Sequence, residues 1–227
     1  RLSGQVRVVA FDAVFAEADR TSPREVARPL PASLADIRER LGRQPDSDLV
    51  LAKAVDAARK AGTSVVMGFS LVHEPGARLP ALKRGFNVSG PDASAYLPPW
   101  SGAIVNRPVI EAAIDGNGSI NSTPDLDGVI RRISLVFRSG ADLYPSLALE
   151  ALRLAAGSDQ SYILKTSGGS GERVLGASSG VVAVRIPVEG APLTIPTDSE
   201  GAVWLHFTDP DAPRTLPAWR LFEKDFD

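Results

Sequence analysis

Residues 6–15 are VRVVAFDAVF and residues 63–72 are TSVVMGFSLV, and these two apolar runs decide the fold. An apolar run with almost no alternation is typical of a central strand that is covered on both faces. Three segments with helix-forming patterns lie between the two runs. Strand, helices and strand in this order predict a right-handed parallel crossover unit, with helices on the sheet of an α/β N-terminal half.

The three predicted helices are indicated by their start and stop signals. Ser22 stands three residues before Glu25, which predicts a capping box at the first helix. A second helix is predicted over residues 33–41. The third begins after Asp46 and ends before Gly62. Its predicted apolar face comprises Leu49, Val50, Ala54, Val55 and Ala58.

The rest of the chain predicts antiparallel hairpins, so the class is α/β or mixed α+β. Residues 74–108 are rich in proline and glycine and predict a long surface insertion, either a functional loop or a covering flap. Residues 117–137 predict a hairpin that turns at residues 125–128. A core helix is predicted from Pro145 to about Ala156. Later, residues 193–195 are predicted to pair with residues 202–207 across a turn at residues 198–201.

Composition excludes several function classes. Apolar residues make up 44% of the 227 residues and the net charge is −2, so the chain is globular and lacks the basic field that attracts nucleic acid. With no cysteine and two histidines, thiolate and multi-histidine zinc sites are excluded, whereas a carboxylate metal site is not. No cofactor is predicted, since no phosphate-binding or dinucleotide glycine motif is present. No apolar run reaches membrane-spanning length.

Charged side chains next to the first predicted strand are the candidate binding residues. Ligands usually bind at the carboxyl ends of strands in open α/β sheets. A buried carboxylate needs a partner, so Asp12 is predicted to be paired, metal-bound or at the solvent edge, with Arg20 and Arg131 as partners. A structural ion-pair network, a ligand or metal site, and catalysis all remain open. The candidates are Asp12, Glu17, Asp19, Arg20, Arg131 and Arg132.

Two enzyme alternatives are also open. Residues 176–180 have the G-x-S-x-G pattern of a nucleophile elbow, and Asp198 and His206 follow in the hydrolase order. An elbow serine sits between a strand and a helix, but the residues after Ser178 predict a strand. A hairpin turn is therefore favoured. The second alternative is a carboxylate metalloenzyme that uses Asp12, Glu17 and Asp19.

Five segments, in this order and spacing, resemble the type-two CHASE domain over essentially the whole chain. They are AFDAVFAEADRTSP (10–23), DSDLVLAKAV (46–55), TPDLDGVIRRISL (123–135), YPSLALEALR (144–153) and TIPTDSEGAVWLHF (194–207). The resemblance implies one sensory domain over residues 1–227. It also implies that seven residues have a structural role in the family motifs: Asp125, Asp127, Gly128, Tyr144, Pro145, Ser146 and Glu150.

The resemblance also implies a function. It indicates a non-enzymatic sensor on the periplasmic side of the bacterial inner membrane, tethered through its parent receptor and homodimeric with it. The resemblance is nearest to members attached to class III adenylate or guanylate cyclases, and it identifies no ligand. The family usually has an additional first strand and a further last strand. We therefore expect an open sheet edge at or beside the first strand.

Overall fold

The computed structural model describes residues 6–75, 78–168, 179–208 and 215–223. Its helices are α1 (Pro23–Ala27), α2 (Ala35–Gly42), α3 (Ser47–Lys60), α4 (Pro108–Ala113) and α5 (Leu147–Ala155). Its strands are β1 (Val8–Phe11), β2 (Ser64–Val72), β3 (Phe86–Ser89), β4 (Pro99–Trp100), β5 (Gly102–Ile104), β6 (Gly116–Ser119), β7 (Arg132–Ser134), β8 (Val136–Ser139), β9 (Asp142–Pro145), β10 (Tyr162–Ser167), β11 (Gly180–Ile186), β12 (Leu193–Pro196) and β13 (Ala202–Trp204). None of these helices is long and apolar enough to span a bilayer. The fold is mixed α and β, as predicted.

Strand β2 is the centre of the first sheet, and residues 65–69 within it are all buried. Strands β1 and β6 run parallel to β2, with Val8 opposite Ser64 and Val66 opposite Gly116. Strand β5 pairs antiparallel with the end of β2. The parallel pairing of β1 with β2, with α1 to α3 between them in the chain, confirms the predicted crossover. The core under α3 and α4 comprises Val55, Val65, Met67, Ile110 and Ile114.

The prediction of a central strand over residues 6–15 is wrong in length and in position. Strand β1 ends at Phe11, and among the described strands it pairs with β2 alone. The rings of Phe11 and Phe15 meet edge to face, with centroids 6.3 Å apart, and pack against the core under α3. The second half of the apolar run therefore fills space beside the sheet, where packing does not require strand pairing.

The second sheet has the order β12, β11, β10, β3. Its first three strands are antiparallel, as the sequence predicts for this half, whereas β3 runs parallel to β10 with Phe86 opposite Tyr162. Leu149 of α5 joins its core. Fully buried side chains of this core include Tyr162, Leu164, Val184 and Ile186.

Residues 74–108 are not the surface excursion that their proline and glycine content predicts. They supply β3, β4 and β5 to three different sheets. Ala93 and Leu97 are buried in the core of the second sheet. Short strands separated by turns tolerate proline and glycine, so composition alone does not place a segment on the surface.

The predicted hairpin over residues 117–137 is also wrong. Its first strand is β6, which pairs with β2, and its second part divides into β7, which pairs with β13, and β8, which pairs with β9. The predicted turn at residues 125–128 does form, since the Gly128 N–H donates to the Asp125 carbonyl at 2.8 Å. The predicted pairing of residues 193–195 with residues 202–207 fails in the same way, because β12 pairs with β11 instead.

Helix positions agree with the sequence more closely than helix caps do. Ser22 precedes α1 but accepts a hydrogen bond from the Ser47 N–H at 2.8 Å, so the predicted capping box is absent. Helix α3 begins after Asp46 as predicted, and the Asp46 side chain caps it by accepting from the Asp48 and Leu49 N–H groups. Leu49 and Val50 on α3 are 46% and 50% exposed, although both were predicted to lie on its buried face. Pro145 belongs to β9, and α5 begins after Ser146, whose side chain accepts from the Leu149 N–H.

Candidate functional site

The turn before β7 carries a compact group of charges, which we call the β7 cluster: Asp125, Asp127, Arg131, Arg132 and Asp198. Arg131 donates from Nη1 and Nη2 to the two oxygens of Asp127 at 2.9 and 2.7 Å. It also donates to Asp125 at 3.0 Å. This two-pronged geometry fixes the turn that the sequence predicts at residues 125–128.

Arg132 connects the β7 cluster to the turn before β13. Its guanidinium donates to Asp125 and to Asp198, both at 3.3 Å, and lies 5.8 Å from the ring centroid of Trp204. The hydrogen bond from Arg131 holds the pKa of Asp125 below its usual range. Each of the three carboxylates of the β7 cluster is therefore paired with at least one of the two arginines. The cluster ties together two segments that are distant in sequence.

The candidates near β1 lie in a separate, exposed segment. Asp12 is exposed directly after β1. Glu17 pairs with Arg20 at 3.1 Å, and both side chains are solvent-exposed. Asp19 accepts from the Thr21 N–H and hydroxyl at 2.8 and 2.7 Å, and these bonds lower its pKa.

The predicted pairing of Asp12 with Arg20 or Arg131 is wrong. Arg20 pairs with Glu17, and Arg131 pairs with Asp125 and Asp127. Because Asp12 lies at the solvent edge, its carboxylate stays hydrated and needs no partner. Among the described residues, no hydrogen bond or ion pair joins the six candidates into one site.

The two enzyme alternatives gain no support from the geometry. Ser178 lies outside the described residues, and His206 is exposed after β13. Within the described ranges, no three histidine, aspartate or glutamate side chains approach closely enough to hold a metal ion. Asp12, Glu17 and Asp19 therefore do not form the carboxylate metal site that the sequence left open.

A buried ion pair lies on α5, where the sequence marks Glu150 as a structural motif residue but names no partner for it. Glu150 and Arg153 are 1% and 2% exposed, and Arg153 donates from Nη2 and Nε to the Glu150 carboxylate at 2.7 and 2.9 Å. The Tyr162 hydroxyl donates to the same carboxylate, and Arg153 also donates to the Ser158 carbonyl. Burial and the neighbouring carboxylate raise the pKa of Tyr162. We call Glu150, Arg153, Ser158 and Tyr162 the α5 network.

The other motif residues of this segment are structural too. Tyr144 is buried and its ring meets that of Phe69 edge to face, 5.7 Å between centroids. Burial raises the pKa of Tyr144 to about 12. A Cβ at Gly116 would lie 2.4 Å from Glu150 Oε1, so the α5 network requires glycine there. The spacing of Glu150 and Arg153 was the available signal, because residues three apart share one helix face.

Helix α4 holds a second group of charges that the sequence did not indicate. Lys83 Nζ donates to the carbonyls of Glu111 and Ile114 at 2.8 and 3.0 Å, at the end of α4. The Glu111 carboxylate accepts from Arg78 and from the Ala81 N–H, both at 2.8 Å. Burial lowers the pKa of Lys83. These bonds fasten residues 78–83 to α4.

An open cleft of about 510 Å³ lies between β3, the turn at residues 92–95 and the β8–β9 hairpin. We call it the β3–β8 cleft. It falls within the size range of small-molecule sites. Arg138 is half-buried in its wall, and its Nε donates to the Leu97 carbonyl at 3.1 Å. The cleft is lined by Leu82, Gly85, Phe86, Val88, Asp92, Ala93, Ser94, Arg138, Gly140, Ala141, Asp142 and Leu143.

A mixed α and β fold with an open cleft that is lined by both charged and apolar side chains is suited to binding. The chain matches the family model of the CHASE2 domain over residues 1–227, and it belongs to that family. CHASE2 domains are extracytoplasmic sensory domains of membrane receptors and are not catalytic, so the chain has a sensory role. Searches among curated proteins and among solved structures found no significant match.

Proposed function

We propose that this chain is the signal-input domain of a bacterial receptor with a cytoplasmic nucleotide cyclase, and that the signal changes the arrangement of a dimer. The observation that carries this proposal is the CHASE2 match over the whole chain. A sensor shifts an equilibrium only if its signal binds one arrangement more tightly than the other. The proposal therefore needs a surface through which two copies meet.

The helical layer of α1, α2 and the first turn of α3 supports such a surface. Helix α2 has no buried residue, and its packing is against α1. An exposed apolar layer of this kind is typical of an interaction site. Five large apolar side chains here are between 38% and 50% exposed, one of them directly before α2: Val26, Leu34, Ile37, Leu49 and Val50.

Charge on α2 favours a second copy of the chain as the occupant. Asp36 lies in its first turn and Arg40 in its last turn. Two α2 helices packed across a two-fold axis perpendicular to them run antiparallel, and this arrangement brings Asp36 of each copy to the end of the helix that carries Arg40 of the other. The helix is thus complementary to itself in charge.

The test uses the full-length protein in native membranes and measures cyclase activity and cross-linked dimer. Ile37→Glu places a charge in the apolar layer and is expected to lower the dimer fraction and change basal cyclase activity several-fold. Val182→Glu, on β11 and 41% exposed, introduces the same charge at a similarly exposed apolar position outside this layer; it is the matched control and is expected to change neither. Absence of adenylate and guanylate cyclase activity would contradict the proposed output. A normal dimer fraction in Ile37→Glu would contradict the proposed surface.

A further inference from the structure

The apolar wall of the β3–β8 cleft is held in place by the second sheet. Phe86 stacks on buried Tyr162 with ring centroids 4.6 Å apart, so the second sheet supports its ring from behind. Leu82 and Val88 are 46% and 41% exposed, and Leu143 is half-buried. A bound apolar group would remove these side chains from water, which is favourable.

Arg138 places a fixed cation beside that wall. It lies opposite Leu143 in the β8–β9 pair, so both side chains are on the same face of the hairpin. Its Nε is occupied by the Leu97 carbonyl. In the described part of the chain, no hydrogen bond engages Nη1 or Nη2 of Arg138. These two nitrogens form the end-on fork that binds a carboxylate with two parallel hydrogen bonds.

Asp92 supplies the opposite charge across the cleft. Its carboxylate accepts from the Ser94 N–H at 3.0 Å and from the Ser94 hydroxyl, which fixes its orientation. These bonds lower the pKa of Asp92, and the nearby charge of Arg138 lowers it further. No hydrogen bond is formed between Asp92 and Arg138 in the described structure. Each carboxylate oxygen has a second lone pair, so Asp92 can still accept from an ammonium group.

We propose that the β3–β8 cleft binds a free α-amino acid with an apolar side chain. The carboxylate of the ligand binds the Arg138 fork, its ammonium group binds Asp92, and its side chain packs on Leu82, Phe86 and Val88. Arg138, Asp92 and the apolar wall together select a zwitterion over a simple acid or amine, because a simple acid leaves Asp92 unpaired and a simple amine leaves Arg138 unpaired. The second carboxylate of the lining, Asp142, is exposed. This inference rests on the proposed sensory role and names its ligand class.

The first experiment is calorimetric titration of the whole chain with L-leucine and L-phenylalanine. Two truncated probes test the two charges: 4-methylpentanoate lacks the ammonium group of leucine, and 3-methylbutylamine lacks its carboxylate. We expect both to bind about tenfold more weakly than leucine or worse, since a charge-assisted hydrogen bond is worth about that factor or more. Equal binding of 4-methylpentanoate and leucine would overturn the role of Asp92, and no binding of either amino acid at millimolar concentration would overturn the site.

Three variants locate the binding in the cleft. Arg138→Gln and Asp92→Asn are each expected to weaken leucine binding at least tenfold, and the Asn side chain can keep the hydrogen bond from the Ser94 N–H. Val88→Trp fills the cleft from an exposed strand position and is expected to abolish binding without loss of thermal stability. Arg43→Gln, which removes an exposed arginine directly after α2, is the control. Unchanged affinity in a folded Val88→Trp variant would contradict the proposal.

Two further results distinguish failure of the proposed binding site from failure of the proposed sensory function. Leucine binding that has no effect on the output of the full-length protein would retain the site and reject the sensory role for it. A response of the output to another stimulus, with no amino-acid binding, would retain the sensory role and reject the site.

Discussion

The α5 network and the β7 cluster both pair arginine with carboxylates, yet they differ in solvent exposure. Side chains of Glu150 and Arg153 are 1% and 2% exposed, whereas those of Arg131 and Arg132 are each 42% exposed. A buried charge that loses its partner cannot recover its hydration, but an exposed charge can. Loss of one partner should therefore destabilise the α5 network strongly and the β7 cluster only slightly, although both pair arginine with a carboxylate.

Removal of the buried carboxylate gives the largest effect. In Glu150→Gln, Arg153 keeps its charge in the core and loses its counter-ion. The free energy of unfolding is expected to fall by about 3–5 kcal/mol. Urea denaturation measures this change. Asp127→Asn in the β7 cluster is the matched control, because it removes an exposed partner of an arginine. Similar midpoints for the two variants would contradict the difference between the regions.

A smaller loss of stability is expected when a side chain is introduced next to the α5 network. A Cβ at Gly116 would lie 2.4 Å from Glu150 Oε1 and would displace the carboxylate. Gly116→Ala is expected to cost about 1–3 kcal/mol of stability, as overpacking usually does. Gly42→Ala is the matched control, since a Cβ there has nothing within 4 Å. If Gly116→Ala were as stable as Gly42→Ala, the carboxylate would not be held as tightly as the geometry indicates.

Local chemistry of the sequence predicted much of the fold. The turns at residues 125–128 and 198–201 form because aspartate and glycine stabilise them without distant partners, and the same holds for the Asp46 cap of α3. Strand pairing depends on contacts between segments far apart in the chain. Residues 132–134 have the pattern of a hairpin strand, but their partner, residues 202–204, is set by tertiary packing.

The candidate sites were harder to predict, for the same reason. The sequence singled out Arg131 and Arg132, but it predicted Asp12 as the partner of Arg131, whereas the structure pairs the two arginines with Asp125, Asp127 and Asp198. Arg138 and Asp92 come from segments 46 positions apart, and only folding brings both to the β3–β8 cleft. The burial of Glu150 could not be predicted either, because glutamate and arginine three positions apart are also common on exposed helix faces.

Lys83 lies between the two regions in exposure, and its effect depends on pH. Its folded-state pKa is lowered by burial, so the unfolded chain binds more protons between that pKa and the ordinary value near 10.5. The contribution of Lys83 to stability therefore rises as pH increases through its folded-state pKa and becomes constant above 10.5.

The measurement compares the wild-type chain with Lys83→Met in urea at pH 7 and at pH 10. The wild type is expected to be more stable relative to the variant at pH 10 than at pH 7, because burial lowers the pKa of Lys83. Lys53→Met, at an exposed position, should show no such change. If the wild type instead lost stability relative to Lys83→Met between pH 7 and pH 10, the pKa of Lys83 would be raised, not lowered, on folding.

The smallest effect is expected in the β7 cluster itself. Arg131→Gln breaks the pairs with Asp125 and Asp127, but all three side chains stay hydrated, so the urea midpoint should stay within experimental error of the wild type. Because the pKa of Asp125 is lowered mainly by Arg131, its carboxyl should titrate at higher pH in the variant, which NMR can measure. Arg24→Gln on α1 leaves that titration unchanged. A large loss of stability in Arg131→Gln would show that the exposed β7 cluster contributes to the free energy of unfolding as much as a buried ion pair does. That result would contradict the difference between the β7 cluster and the α5 network.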